Sequence, residues 1–193
     1  MRKGSNSDSR LRIIGGRWRG RKLEFPALEG LRPTTDRVRE TLFNWLAGGI
    51  AGARCLDVFA GSGALGLEAL SRGANHCDFI DAAPEAIRAI RQHLKVLGAT
   101  DRARVFIGDA LVWSNDSAGY DIIFIDPPFA SGLAESALAR CVDVLNPGGL
   151  VYLEVAKHQT PTVPETLEVI KDKCAGDVRY RLLERQKASN LEA

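Results

Sequence analysis

Cys55-Leu56-Asp57-Val58-Phe59-Ala60-Gly61-Ser62-Gly63-Ala64-Leu65-Gly66 decides the fold, because an apolar run, a glycine turn and a helical pattern follow one another without a gap. Cys55–Phe59 reads as a short buried strand, and Ala64 to about Ser71 as the helix that leaves the turn. The same succession repeats outward. His76–Ile80 is a second strand, and the following helix begins near Pro84, whose missing N–H costs nothing in a first turn. That helix shows Ile87, Ile90, Leu94 and Leu97 on one face and stops at Gly98. Val105–Ile107 and Ile122–Ile125 are the third and fourth strands. The next helix presents Leu133, Ala137, Cys141 and Val144 together, with Leu138 and Leu145 beside them. Asn146-Pro147-Gly148-Gly149 reads as a turn before a fifth strand, Leu150–Val155. Beyond Val163-Pro164, the segments Leu167–Lys173 and Val178–Glu184 read as an antiparallel hairpin around Gly176-Asp177. Alternating strands and helices call for parallel strands, right-handed crossovers and helices on both faces. The expected fold class is therefore α/β: a doubly wound, Rossmann-like sheet, mostly parallel, with an antiparallel C-terminal hairpin.

Ahead of this unit the pattern changes. Residues 1–9 are polar and expected to be disordered. Leu11–Ile14 and Leu23–Phe25 bracket Gly15-Gly16 and a basic tip, which predicts a β-hairpin. Arg32-Pro33-Thr34-Thr35 reads as a loop with Thr35 as N-cap. Val38, Leu42, Trp45 and Leu46 then recur at helical spacing over Asp36–Ala47. The chain thus divides into a basic extension, residues 1–50, and a sheet domain, residues 51–193.

Bulk properties narrow the classes. The 193 residues are 45% hydrophobic and 26% charged, ordinary for one globular domain. No apolar stretch reaches the roughly 18–20 residues of a membrane span, and the start lacks the apolar segment of a secretory signal. A cytoplasmic protein without membrane contact is expected, with a monomer as the working assumption. Cys55, Cys77, Cys141 and Cys174 form no CxxC pair, and His76, His93 and His158 have no ligand spacing with them. Buried free thiols and no metal are the expectation. The net charge is only +2, yet residues 1–40 hold eleven Lys or Arg against five Asp or Glu. That asymmetry favours a polyanionic partner, of which nucleic acid is the commonest.

The strand ends carry the chemistry. Asp57 lies near the end of the first strand, and Asp81, Asp109 and Asp126 follow the next three. In a parallel sheet these carboxylates face the rim where ligands bind. Gly61-Ser62-Gly63-Ala64-Leu65-Gly66 matches GxGxxG, and Asp81 follows Gly63 by 18 residues, so a dinucleotide-linked oxidoreductase competes. Charge separates the two readings. A dinucleotide brings a pyrophosphate to the turn, where Asp57 would repel it. S-adenosylmethionine brings an ammonium and a sulfonium instead. Asp57 can hold the ammonium, Asp81 both ribose hydroxyls, and Asp109 the adenine amino group, with Gly61 and Gly63 at the turn.

Asp126-Pro127-Pro128-Phe129 is the sharpest signal. An amino group on an aromatic ring is a poor nucleophile because its lone pair is delocalised. A carboxylate and a backbone carbonyl that accept its two N–H bonds favour a pyramidal nitrogen whose lone pair faces a methyl donor. The prolines stiffen the turn that aims those acceptors, and Phe129 can stack on a flipped base. Asp126, Pro127 and Phe129 are the candidate catalytic residues. The motif type also suits methylation of adenine or cytosine in DNA, or of glutamine in protein.

Four segments narrow the choice: Arg12–Leu23, Leu31–Leu46, Phe59–Leu70 and Asp126–Phe129. On these the chain resembles the RsmD family of 16S rRNA guanine-N2 methyltransferases over essentially its whole length. The resemblance implies a class I methyltransferase sheet and methyl transfer to N2 of one guanine in small-subunit rRNA. It also implies that Gly61 and Gly63 lie against the cofactor and Asp81 at its ribose. The family often has Glu where this chain has the shorter Asp81. In the hairpin, Arg17, Arg19, Arg21 and Lys22 are candidate phosphate contacts, and Trp18 between two arginines is a candidate base-stacking residue. The bland alternative is that Trp18 packs the hairpin onto the domain. Arg37 and Arg39 face cofactor, RNA or solvent.

Overall fold

A computed structural model of the chain describes residues 9–25, 35–112, 119–129 and 132–187. The Arg32-Pro33-Thr34 loop and residues 1–8 of the polar start lie outside the described residues.

The first elements are strands β1 (Ser9–Arg12) and β2 (Lys22–Phe25), antiparallel in a two-stranded sheet, with a 3-10 turn at Gly16–Trp18 between them. Helix α1 (Asp36–Trp45) follows, and Thr35 caps it by accepting from the Val38 N–H at 3.4 Å. The sheet domain then alternates β3 (Arg54–Asp57), α2 (Ala64–Ser71), β4 (His76–Asp81), α3 (Pro84–Leu97), β5 (Ala103–Ile107), β6 (Tyr120–Ile125), α4 (Leu133–Val142) and β7 (Leu145–Ala156). Strands β8 (Leu167–Ala175) and β9 (Val178–Arg185) close it.

The seven-stranded sheet has the order β5-β4-β3-β6-β7-β9-β8. Strands β3 to β7 pair in parallel, and β9 runs antiparallel to both β7 and β8. The chain moves outward from β3 to β5, then returns to place β6 on the other side of β3. This reversal opens a cleft above the carboxyl ends of β3 and β6. Because strand side chains alternate, Cys55, Cys77, Phe79 and Phe124 enter one core, while Leu56, Ile80, Ile123 and Ile125 enter the other. Helices α1, α2 and α3 cover the first face and α4 the second.

Two expectations need correction. Asn146-Pro147-Gly148-Gly149 does not precede the fifth strand but lies within β7. Tyr120 pairs with Leu145 and Ile122 with Leu150, so the turn is absorbed as a bulge, with Gly148 at φ 75°. Cys55, Cys77 and Cys141 are buried free thiols, but Cys174 is exposed on the edge strand β8. The hairpin is not a free appendage. Leu11, Ile13, Trp18, Leu23 and Phe25 are buried in the same core as the α1–α3 face of the sheet. No described helix is long and apolar enough to cross a membrane.

Candidate active site

The cleft at the strand reversal is a cavity of about 500 Å³, within the range of small-molecule sites. Asp57, Asp81, Asp109 and Asp126 all line it, together with Pro127, Pro128 and Phe129. The rim expected from four strand ends is therefore one continuous wall. No Lys or Arg lines the cavity among the described residues.

Each acid is held differently. Asp57 is 1% exposed, and its Oδ2 accepts from the Gly66 N–H in the first turns of α2 at 3.0 Å. Burial pushes its carboxyl up to about 7, helped by the nearby Asp81 charge and opposed by the Gly66 hydrogen bond. The proximity of Gly66 is enforced by the fold: a Cβ on Gly66 would sit 2.3 Å from the Phe79 ring. Asp81 bridges two loops, accepting from Gly61 N–H at 2.7 Å and Ala83 N–H at 2.8 Å. Each of its oxygens keeps a further lone pair for a ligand hydroxyl. Asp109 is exposed and accepts from the Leu111 N–H at 2.8 Å.

The glycine turn is anchored to both neighbouring strands. Val58 N–H donates to Phe124 O at 3.1 Å, and Ala60 N–H to Ile80 O at 2.9 Å. Gly63 has φ 78°, a conformation costly for any residue with a Cβ, and there a Cβ would also press on Leu67 and Ile90 at 3.1 Å. The turn thus delivers the N-terminus of α2 to the cavity wall.

Asp126 directly follows β6 and is partly exposed; Pro127 is buried and Pro128 exposed. Beside them, buried Tyr152 on β7 donates to buried Glu154 at 2.7 Å. Burial raises the Tyr152 phenol well above its usual range, and the charges of Glu154 and Asp126 add to that. Gln159 joins the site from the loop after β7, donating to the Phe129 carbonyl at 2.8 Å. Sequence reasoning missed Glu154 and Gln159. Glu154 hides in the strand Leu150–Val155, and Gln159 sits in a polar loop 30 residues from its partner, with no local pattern to single it out.

The basic hairpin is placed elsewhere. Its tip packs on the far end of α2: Glu68 accepts from Ile14 N–H and Gly15 N–H, each at 2.8 Å, and Ser71 accepts from Trp18 N–H at 3.0 Å. Helix α2 has eight residues, so this end lies about 12 Å from the turn at the cavity. Arg17, Arg19, Arg21 and Lys22 are exposed there. Trp18 is only 6% exposed, with the Arg102 guanidinium 6.0 Å from its ring centre. Base stacking by Trp18 is therefore corrected to packing: its ring fills the joint between hairpin and domain. Arg39 is also buried, bound to Asp36 at 2.5 Å and to the Arg12 carbonyl at 2.9 Å, whereas Arg37 is exposed.

An acid-walled cavity with a glycine turn fits a cationic cofactor and does not fit a pyrophosphate. Residues 11–184 match the family model described as "Conserved hypothetical protein 95". The chain is 45% identical to "Ribosomal RNA small subunit methyltransferase D" of Escherichia coli, over 100% of both chains. The protein of that name from Haemophilus influenzae is 41% identical, over 92% of this chain and 95% of the relative. A solved structure named "Putative methyltransferase yhhF" from Escherichia coli superposes with a TM-score of 0.85 at 44% identity, covering 92% of this chain and 99% of that one. The chain belongs to this family, that of the small-subunit ribosomal RNA methyltransferases D, and is a methyltransferase.

Proposed function

We propose that this enzyme transfers a methyl group from S-adenosylmethionine to the exocyclic N2 of a guanine in the 16S rRNA of the small ribosomal subunit. The observation that carries the reading is a cavity lined by four aspartates, with no cationic side chain among its described lining, beside a double-proline turn. The cofactor supplies a methyl group on a positively charged sulfur. Asp57 faces its ammonium, Gly61 and Gly63 let the backbone approach it, Asp81 accepts from its ribose hydroxyls and Asp109 from its adenine amino group. Asp126 and the Pro127 carbonyl accept the two N–H bonds of the guanine amino group, so the nitrogen lone pair points at the methyl carbon. Phe129 holds the base. With the cofactor bound, the oriented nitrogen would take the methyl carbon as the carbon–sulfur bond breaks and its electron pair goes to sulfur, and the extra proton on nitrogen would pass to the Asp126 carboxylate and on to water. Proximity and orientation supply most of the rate.

The relatives act, by name, on small-subunit rRNA. In this chain Arg17, Arg19, Arg21 and Lys22 are the proposed phosphate contacts, and their distance from the cavity means one RNA must span both. We place the enzyme in the cytoplasm as a monomer, with residues 1–50 as substrate-binding extension and 51–193 as catalytic domain.

Labelled-methyl transfer to naked 16S rRNA, small subunits and DNA, followed by nucleoside analysis, tests the proposal. N2-methylguanosine is the expected product; methylated adenine or cytosine overturns it. Asp126→Ala should bind S-adenosylmethionine as the wild type does and lose about 100-fold or more in kcat. Full rRNA methylation by that variant would sink the role given to Asp126.

A further inference from the structure

We infer that Gln159 is a positioning residue for methyl transfer, holding the Asp126-Pro127-Pro128-Phe129 turn in place through the Phe129 carbonyl; this rests on the role proposed for that turn. The turn has an anchoring problem. Pro127 and Pro128 carry no N–H, so neither can tie the segment to the sheet as a donor. With two of its four residues without a donor, the segment relies on its acceptors for part of its hold. Gln159 supplies the donor: its Nε2 lies 2.8 Å from Phe129 O.

The other end of the same amide fixes which atom points where. Gln159 Oε1 accepts from the Ala156 N–H at 3.0 Å, and the Gln159 backbone N–H separately donates to Ala156 O at 2.8 Å. A backbone N–H requires the amide oxygen, and a backbone carbonyl requires the amide nitrogen, so only one orientation satisfies both. Ala156 ends β7, the parallel neighbour of β6, the strand that delivers Asp126. Gln159 therefore fastens the turn leaving one strand to the end of the strand beside it. Released, the Phe129 ring and the acceptors before it would drift, and a displacement of about 1 Å can cost about 100-fold in rate.

Chemistry distinguishes this role from packing. Glutamate is nearly isosteric, but ionised it presents an oxygen to the Phe129 carbonyl; protonated, it can again donate there and accept from Ala156. Gln159→Ala and Gln159→Glu are compared with wild type on whichever acceptor the wild type methylates. At pH 8 both should lose about 10- to 100-fold in kcat, with cofactor Kd within twofold of wild type. As pH falls toward 5.5, the rate of Gln159→Glu relative to wild type should climb while that of Gln159→Ala stays low. Hydrogen exchange in the peptide containing Phe129 should quicken in Gln159→Ala, a readout independent of activity. Wild-type exchange there, or a kcat of Gln159→Ala within twofold of wild type, overturns the proposal. A wild type that methylates DNA or protein instead of rRNA would overturn the substrate reading alone.

Discussion

Asp57 is buried and gives an oxygen to the Gly66 N–H, whereas Asp109 is exposed and braces its own loop through Leu111. The sequence places both at strand ends and gives no hint of this difference, which comes from tertiary burial. The consequence is a pH dependence peculiar to Asp57. Its carboxyl rests at about 7, so near neutrality a sizeable fraction is protonated. If its carboxylate faces the cofactor ammonium, only the ionised form contributes, and the apparent Kd scales inversely with the ionised fraction. Cofactor affinity should then rise about tenfold between pH 6 and pH 8. Calorimetric titration across that range checks it, and Asp57→Asn should bind weakly with a flat profile. Stability runs the other way. A carboxyl whose folded pKa is raised stabilises the fold fully below about pH 4, and that contribution is lost as pH rises through about 7. Buried His93, held below its usual range by burial, titrates in the same window, so Asp57→Asn is the reference: a cofactor-free wild type that loses no stability relative to that variant between pH 6 and pH 8 would contradict the assignment.

Helix α2 joins the cavity to the hairpin, with its N-terminus at the glycine turn and its far end under the hairpin. The turn was legible because glycines after an apolar run have few other uses. The hairpin was legible as an element, but its docking was not, because the decisive acid looks ordinary. Glu68 sits among Leu65, Leu67, Ala69 and Leu70, is fully buried, and receives two hairpin N–H groups, Arg72 Nε at 2.6 Å and the Arg39 charge at 3.8 Å. An acid on a helix with no polar face was the available clue. The Gly15-Gly16 pair is explained by the same contact: Gly16 has φ 72°, and a Cβ there would lie 1.9 Å from the Ser71 carbonyl. Glu68→Ala should leave two hairpin N–H groups and the Arg72 guanidinium without their acceptor and buried Arg39 with Asp36 as its one acid, costing about 3–5 kcal/mol. Urea unfolding measures this. Glu85→Ala removes an exposed acid paired with Arg88 and should change nothing measurable.

Across the whole molecule the strand order and the acid rim could be expected from local patterns, since alternation fixes parallel crossovers and crossovers fix which strand ends share an edge. Contacts between distant segments could not, and one of them gathers at the opposite ends of the same strands from the cavity. Asp78 on β4 is fully buried and accepts from Arg104 at 2.7 and 2.9 Å, Arg54 at 3.1 Å and Tyr120 at 2.6 Å, with His76 Nε2 at 2.9 Å. These partners sit on four adjacent strands or their ends, so one carboxylate cross-links β3, β4, β5 and β6. Burial alone would raise its pKa; the hydrogen bonds from Arg104, Tyr120 and His76 prevail and lower it to about 2. A folded pKa below the unfolded value means stability that is fully present above about pH 4 and lost as pH falls through about 2. The pKa difference corresponds to about 2 kcal/mol. Asp78→Asn should therefore be less stable than wild type at pH 7 by about 2–3 kcal/mol, because the partly buried Arg54 and Arg104 and the buried Tyr120 hydroxyl lose their shared carboxylate. The gap should narrow by about 2 kcal/mol as both proteins are taken from pH 5 to pH 2 in urea titrations, because wild-type Asp78 then protonates and the variant has nothing there to lose. A gap that stays constant over that range would mean the carboxylate charge does not hold the four strands, whatever the hydrogen bonds around it.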